Sequence, residues 1–159
     1  GSTTVSVAGS VTRMTLTGGS SSVSVSGTVA TIYAQSSSNS FSISGTVSTI
    51  YAQSTSNTFT VTGGVVSTIY GQASGNTYTF TGGSFSQAVF TTALTSQTFR
   101  TSSGTSLGCI TFSGSAMSGL SLSFSGSTFT SSSCHFITFS SAAVSSSALS
   151  VYGGCTHSI

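Results

Sequence analysis

Thr31–Ser48 reads TIYAQSSSNSFSISGTVS, Thr49–Ser67 reads TIYAQSTSNTFTVTGGVVS, and Thr68–Gly83 reads TIYGQASGNTYTFTGG. The three segments are one motif at a step of about 18 to 19 residues. Each step returns the same side chain: Ile32, Ile50 and Ile69; Tyr33, Tyr51 and Tyr70; Gln35, Gln53 and Gln72; Asn39, Asn57 and Asn76; Phe41, Phe59 and Tyr78. A repeat that keeps like residues at fixed offsets describes stacked layers, not a closed pocket.

Outward from these copies, the unit halves. Gly9, Gly18 and Gly27 lie nine residues apart, and Gly45 and Gly63 keep the phase. Each follows a short alternating segment: VSVAG, MTLTG, VSVSG, FSISG, FTVTG and, ending at Gly82, YTFTG. Alternation at period two makes a strand with one apolar and one hydroxyl face. Phe59 and Val61 point one way and Thr60 and Thr62 the other. The glycine is expected to supply the positive φ of a corner.

Residues 84–108 read as a decayed fourth copy. SQAVFTTALTSQTF aligns with STIYGQASGNTYTF at a step of 19, without its Tyr, Gln and Asn positions. This predicts an irregular coil with a loop around Arg100 to Gly108. The remainder repeats at 27: ITFSGSAMSGLSLSFSG returns as ITFSSAAVSSSALSVYG, matching Ile110 to Ile137, Phe112 to Phe139, Met117 to Val144, Leu122 to Leu149 and Gly126 to Gly153. Three short strands per turn suit a three-sided coil.

No 3.6-residue apolar period is present, and Ser, Gly and β-branched residues dominate, so helix is not expected. The expected fold is all-β: a parallel β-solenoid, or β-helix, with coils of about 18–19 and about 27 residues. It forms one domain over residues 1–159, with regular repeats over 1–83, the irregular coil over 84–108 and longer repeats over 109–159. In a solenoid, residues one coil apart sit ~4.8 Å apart, so like side chains stack and Asn or Gln amides form ladders. The alternative is an antiparallel β-sandwich or meander, in which equal spacing does not set like residues side by side. A left-handed hexapeptide helix also completes a coil in about 18 residues, but the chain shows no six-residue period.

Composition narrows the function. The 159 residues include two Arg (Arg13, Arg100) and no Lys, Asp, Glu, Pro or Trp. A typical domain is ~25% charged. The missing carboxylates fit either a low-charge extracellular fibre protein or a sequence whose acidic positions are read as Ser, Thr or Ala. Ser and Thr approach half of the chain, yet 36% of residues are hydrophobic and mean hydropathy is +0.38, so the chain buries a core. A net charge of +2 supplies no basic stripe for nucleic acid. No apolar run is long enough for a membrane span. Asn39, Asn57 and Asn76 are followed by Ser or Thr one position too early for N-glycosylation, which leaves the hydroxyls as sites for O-linked glycans.

Cys109, Cys134 and Cys155 are an odd set, fitting one disulfide and one thiol. Cys109 and Cys134 are separated by close to one of the longer coils and are the expected pair. Cys134-His135 and Cys155-Thr156-His157 lack the paired spacing of a zinc site, and adjacent residues on a strand face opposite ways. No metal or cofactor is expected. A Cys–His nucleophile fails on the same geometry and has no orienting carboxylate, so the chain is not read as an enzyme. The Phe41/Phe59/Tyr78 row is expected in the core. Tyr follows Ile directly, so one of the Ile and Tyr rows faces outwards, where Tyr could offer a sugar platform. The pairs Thr15/Thr17, Thr60/Thr62 and Thr79/Thr81 suggest an ice-binding array, broken by Ser24/Ser26 and Ser42/Ser44.

TIYA followed by FSISG (Phe41 to Gly45), and ITFSG (Ile110 to Gly114) followed by LSFSG (Leu122 to Gly126), resemble right-handed parallel β-helix surface proteins. The similarity is to polymorphic outer-membrane-protein and autotransporter passenger repeats, over roughly residues 27–159. Those families carry Gly-Gly-apolar and Phe-x-x-Asn motifs. Gly63-Gly64-Val65-Val66 and Gly82-Gly83-Ser84-Phe85 match the first loosely, and the second is absent. The resemblance implies a surface-exposed adhesive or structural rod. The expected function is a structural repeat subunit of an extracellular filament, appendage or surface layer that self-associates through unpaired β edges or joins other fibre subunits. The alternative is a surface adhesin that takes glycans, or an ice-binding module.

Overall fold

The computed structural model describes residues 2–114, 116–129, 137–140, 143–145, 147–151 and 156–157. Among them there is no helix, and every strand pairing is parallel. The chain is a parallel β-solenoid, not a sandwich or meander. The first sheet has eight strands in the order β1 (Thr4–Val7), β3 (Ser22–Val25), β5 (Ser40–Ile43), β7 (Thr58–Val61), β9 (Thr77–Phe80), β12 (Thr98–Thr101), β15 (Ser121–Phe124) and β19 (Ala148–Val151). The second runs β2 (Ser10–Leu16), β4 (Thr28–Ala34), β6 (Thr46–Ala52), β8 (Val65–Gly71), β10 (Gly83–Phe90), β13 (Thr105–Phe112), β16 (Thr128–Phe129) and β20 (Thr156–His157), with β17 (Ile137–Phe139) also on β13. A third sheet, β11 (Leu94–Thr95), β14 (Ala116–Ser118) and β18 (Ala143–Ser145), joins only the later coils.

Each early coil thus has one four-residue and one seven-residue strand. The nine-residue spacing in the sequence is half a coil: Gly9 and Gly27 mark one corner, and Gly18 lies between β2 and β3 at the other. The core is built of columns. Val23, Phe41, Phe59, Tyr78, Phe99 and Leu122 are paired one above another and all buried. Ile32, Ile50, Ile69, Ala88 and Ile110 form a facing column. Burial of a large apolar side chain contributes about 1.5–3 kcal/mol, and nearly every rung places several inside.

The change from TIYA to TIYG at the third copy has a packing cause. Ala34, Ala52 and Gly71 occupy one column, and Phe90 sits next in it. A Cβ on Gly71 would overlap the Phe90 ring, so the methyl gives way. Phe90 in turn packs edge-on against Tyr78 at 5.7 Å.

Two expectations need revision. Gly27 and Gly45 do not adopt positive φ. They are glycine because a Cβ on Gly45 would overlap the carbonyl oxygen of Gly27, and one on Gly27 that of Gly9. These same carbonyls accept the backbone N–H groups of Thr46 and Thr28, both at 3.0 Å, so the rungs cannot separate to admit a side chain. Gly63, at φ +94°, and Gly82, at φ +106°, do use the left-handed region.

Residues 84–108 form a coil whose strands stay in register with their neighbours while its step departs from the regular repeats; the loop expected within it is what needs revision. Phe90 pairs Gly71 at the expected step of 19. Phe99 then pairs Tyr78, a step of 21, because extra residues between β10 and β12 form β11. Arg100 lies in β12 and Gly108 in β13, so the Arg100–Gly108 segment is mostly strand with a short turn at Ser102–Gly104.

Candidate interaction faces

The amide column lies at the corner before each strand of the first sheet. Asn39, Asn57 and Asn76 are buried. The backbone N–H of Ser21 donates to Asn39 Oδ1 at 2.9 Å, that of Asn39 to Asn57 Oδ1 at 2.9 Å, and that of Asn57 to Asn76 Oδ1 at 2.8 Å. Each Nδ2 donates back within its own turn, to the carbonyls of Ser36, Ser54 and Ala73 at 2.7, 2.9 and 2.8 Å. An amide is the side chain that supplies both an acceptor and a donor here. A carboxylate would set charge against a carbonyl oxygen. The residue before each amide takes left-handed backbone: Ser38 at φ 62°, Ser56 at 59° and Gly75 at 71°.

The ladder extends beyond the Asn positions. Ser21 is buried at one end and Gln97 at the other, where Gln97 Nε2 reaches the Ala73 carbonyl at 2.7 Å. The repeat alignment passes over Gln97, although Gln97-Thr98-Phe99 repeats the order of Asn76-Thr77-Tyr78. The two-residue insertion before it hides the match.

On the outer face of the second sheet, Ile32, Ile50 and Ile69 turn inwards and Tyr33, Tyr51 and Tyr70 outwards. The tyrosine rings stack at 4.9 and 5.0 Å with interplanar angles of 6° and 10°. The Arg13 guanidinium lies 4.6 Å over the Tyr33 ring. Beside this column, Gln35 Nε2 donates to Gln53 Oε1 at 3.2 Å. A sugar platform needs an open ring face. Here each ring covers its neighbour and Arg13 covers the first, which leaves both faces of Tyr33 and Tyr51 closed. The stack is a lengthwise brace, with about 0.5–1.5 kcal/mol per ring pair.

The Phe row is a core column: Phe41 and Phe59 stack at 4.6 Å, and Phe59 and Tyr78 at 5.3 Å. Tyr78 brings a hydroxyl into that core, where it meets no hydrogen-bond partner among the described residues. Burial alone pushes its ionisation well above the ordinary tyrosine range.

The outer face of the first sheet carries hydroxyls. Ser22, Ser40, Thr58 and Thr77 form one column and Ser24, Ser42, Thr60 and Thr79 the next. Thr15 lies on the second sheet, so it is no part of this array.

Cys109 is disulfide-bonded. Its expected partner Cys134, together with His135 and Cys155, lies outside the described residues. Among the described residues, no three His, Cys, Asp or Glu side chains cluster as metal ligands would, and no helix is long and apolar enough to cross a membrane. Comparison with protein-family models, curated proteins and solved structures finds no match to this chain.

Proposed function

We propose that this chain is a structural repeat subunit of an extracellular filament, appendage or surface layer, assembling by adding rungs along the solenoid axis. One observation carries the reading: every early rung is a template for the next, strand over strand and residue over residue. β1 and β2 each pair with one neighbour among the described residues. Their other backbone edge matches a further rung, supplied by more chain or by a second copy. Natural sheet edges are guarded by Lys, Pro or charge. The chain has no Lys or Pro, and the charge on this edge is Arg13, whose guanidinium is folded over Tyr33. Low net charge removes repulsion between copies.

The faces support a scaffold more than a receptor. The ring faces of Tyr33 and Tyr51 are occupied, the corner amides are buried, and the outer face of the first sheet over β3 to β9 is short hydroxyl side chains. The disulfide at Cys109 suits an oxidising, extracellular compartment. Eight rungs at ~4.8 Å make a rod of about 34 Å.

Negative-stain microscopy and fibre diffraction of the purified chain test this. The expected result is unbranched filaments with a meridional repeat near ~4.8 Å, the strand spacing. A monodisperse monomer at all concentrations, retained on glycan arrays, would overturn the filament reading and favour an adhesin.

A further inference from the structure

We propose that the outer face of the first sheet binds ice. The inference is independent of filament formation, since this face lies along the rod and not at its ends. Four successive strands, β3, β5, β7 and β9, are paired without a slip. Their outward side chains, continued one position past each strand, are Ser22, Ser24 and Ser26; Ser40, Ser42 and Ser44; Thr58, Thr60 and Thr62; Thr77, Thr79 and Thr81. This is an unbroken grid of hydroxyls, ~4.8 Å apart between rungs and ~6.6 Å apart along each strand. The rung repeat lies close to the shorter oxygen repeat on a prism plane of hexagonal ice, and the along-strand repeat falls about a tenth short of the longer one, a mismatch that stays small over three positions per strand.

The hydrogen bonding separates the columns. Ser26, Ser44 and Thr81 turn back to the carbonyls of Val7, Val25 and Val61 at 3.4–3.5 Å. The eight hydroxyls of the other two columns make no side-chain hydrogen bond among the described residues. They therefore present unmet donors and acceptors on a regular lattice. The grid carries no charge until Arg100, which follows Thr79 in its column and ends the array.

The partner must itself repeat in two dimensions, carry no charge and offer both donors and acceptors. A glycan lacks an aromatic face to stack on here, and within the grid an acidic or basic partner lacks a counter-charge, since Arg100 stands at its border. An ice surface meets each requirement. Threonine is stiff at χ1, so Thr58, Thr60, Thr77 and Thr79 hold hydroxyl and methyl in fixed positions before binding. The serine rungs have the hydroxyl without the methyl and form the weaker half of the face.

Ice-affinity partitioning and recrystallisation inhibition of the whole chain test the proposal, with microscopy on the same sample recording filaments separately. Wild-type chain is expected in the ice fraction and to keep crystals small. Thr60→Lys with Thr79→Lys should lose both effects, while Thr31→Lys with Thr49→Lys, on the outer face of the second sheet, should retain them. Far-UV circular dichroism establishes that each variant is folded. Ser24→Thr with Ser42→Thr extends the threonine block and should raise the ice fraction above wild type, which keeps the test decisive where a lysine variant does not fold. Exclusion of the wild type from ice, equal loss in both lysine pairs, or no gain from the added threonines would overturn it.

Discussion

The coils before Phe90 and the coils after it solve one problem by different means. Up to Phe90 the step barely changes, as from Phe41 to Phe59 to Tyr78. A constant step sets like over like, so one amide, one glycine and one tyrosine solution is reused at every rung. Beyond Phe90 the step grows, to 23 from Phe99 to Leu122 and 27 from Leu122 to Leu149. The added residues form the third sheet, and the corner chemistry changes with them. Thr101 replaces the column position of Phe80, and its hydroxyl shares a 2.7 Å hydrogen bond with buried Ser127. Thr105 Oγ1 donates to the Ser102 carbonyl at 2.8 Å. Leu120 is buried where the amide ladder would have continued. Backbone pairing survives a change of step, whereas side-chain ladders need the step to be constant.

The sharpest way to break the early region is to force its rungs apart. Gly45→Ala places a methyl against the Gly27 carbonyl oxygen, which cannot rotate away. The expected loss is about 3 kcal/mol or more in chemical denaturation. Next comes the ladder. Asn57→Leu strands the Asn39 N–H and the Ser54 carbonyl and should cost about 2–4 kcal/mol. Gln97→Leu should cost only about 1 kcal/mol, because Gln97 Oε1 already meets no donor among the described residues. Equal costs at both positions would erase the distinction between the two regions.

Tyr78→Phe should stabilise by about 1 kcal/mol, since it removes a buried hydroxyl without a partner from a column of Phe59 and Phe99. It should also alter the alkaline limb. Tyr78 in the unfolded chain titrates near 10.0, and burial raises it in the fold. Above about pH 10 the native state keeps a proton that the unfolded state has lost, so stability falls as pH rises, and the Phe variant should lose that part of the slope. With no Asp or Glu side chain, no acid transition is expected near about pH 4. A sharp one would mean that carboxylates occupy positions read as Ser, Thr or Ala, and peptide mass spectrometry would locate them. The smallest effect is at the corner. Ser56→Gly relieves left-handed backbone at φ 59° and should gain about 0.5 kcal/mol after the added chain entropy, as Gly75 does one rung later.

The early coils are legible in the sequence because period two and period 18 are both visible in single residues. The repeated isoleucine, tyrosine, asparagine and phenylalanine columns need no knowledge of the backbone. The roles of Gly27 and Gly45 are not legible: a glycine at a corner looks the same whether it supplies φ or space, and only the neighbouring carbonyl distinguishes them. The segment after Phe90 misleads because two added residues shift the alignment, so Gln97 no longer falls under Asn76. The hydroxyl grid is half visible. Thr60 and Thr79 stand out in pairs with Thr62 and Thr81, but Thr58 and Thr77 complete the rows only once the strands are stacked.

The central claim is that equivalent residues of successive coils sit directly above one another. Methyl-resolved NOE spectroscopy of the isoleucine column tests it most directly. The account predicts cross-peaks from Ile32 to Ile50 and from Ile50 to Ile69, one strand spacing of ~4.8 Å apart, and a much weaker or absent one from Ile32 to Ile69 at twice that distance. Absence of both neighbour cross-peaks in the folded chain would contradict it.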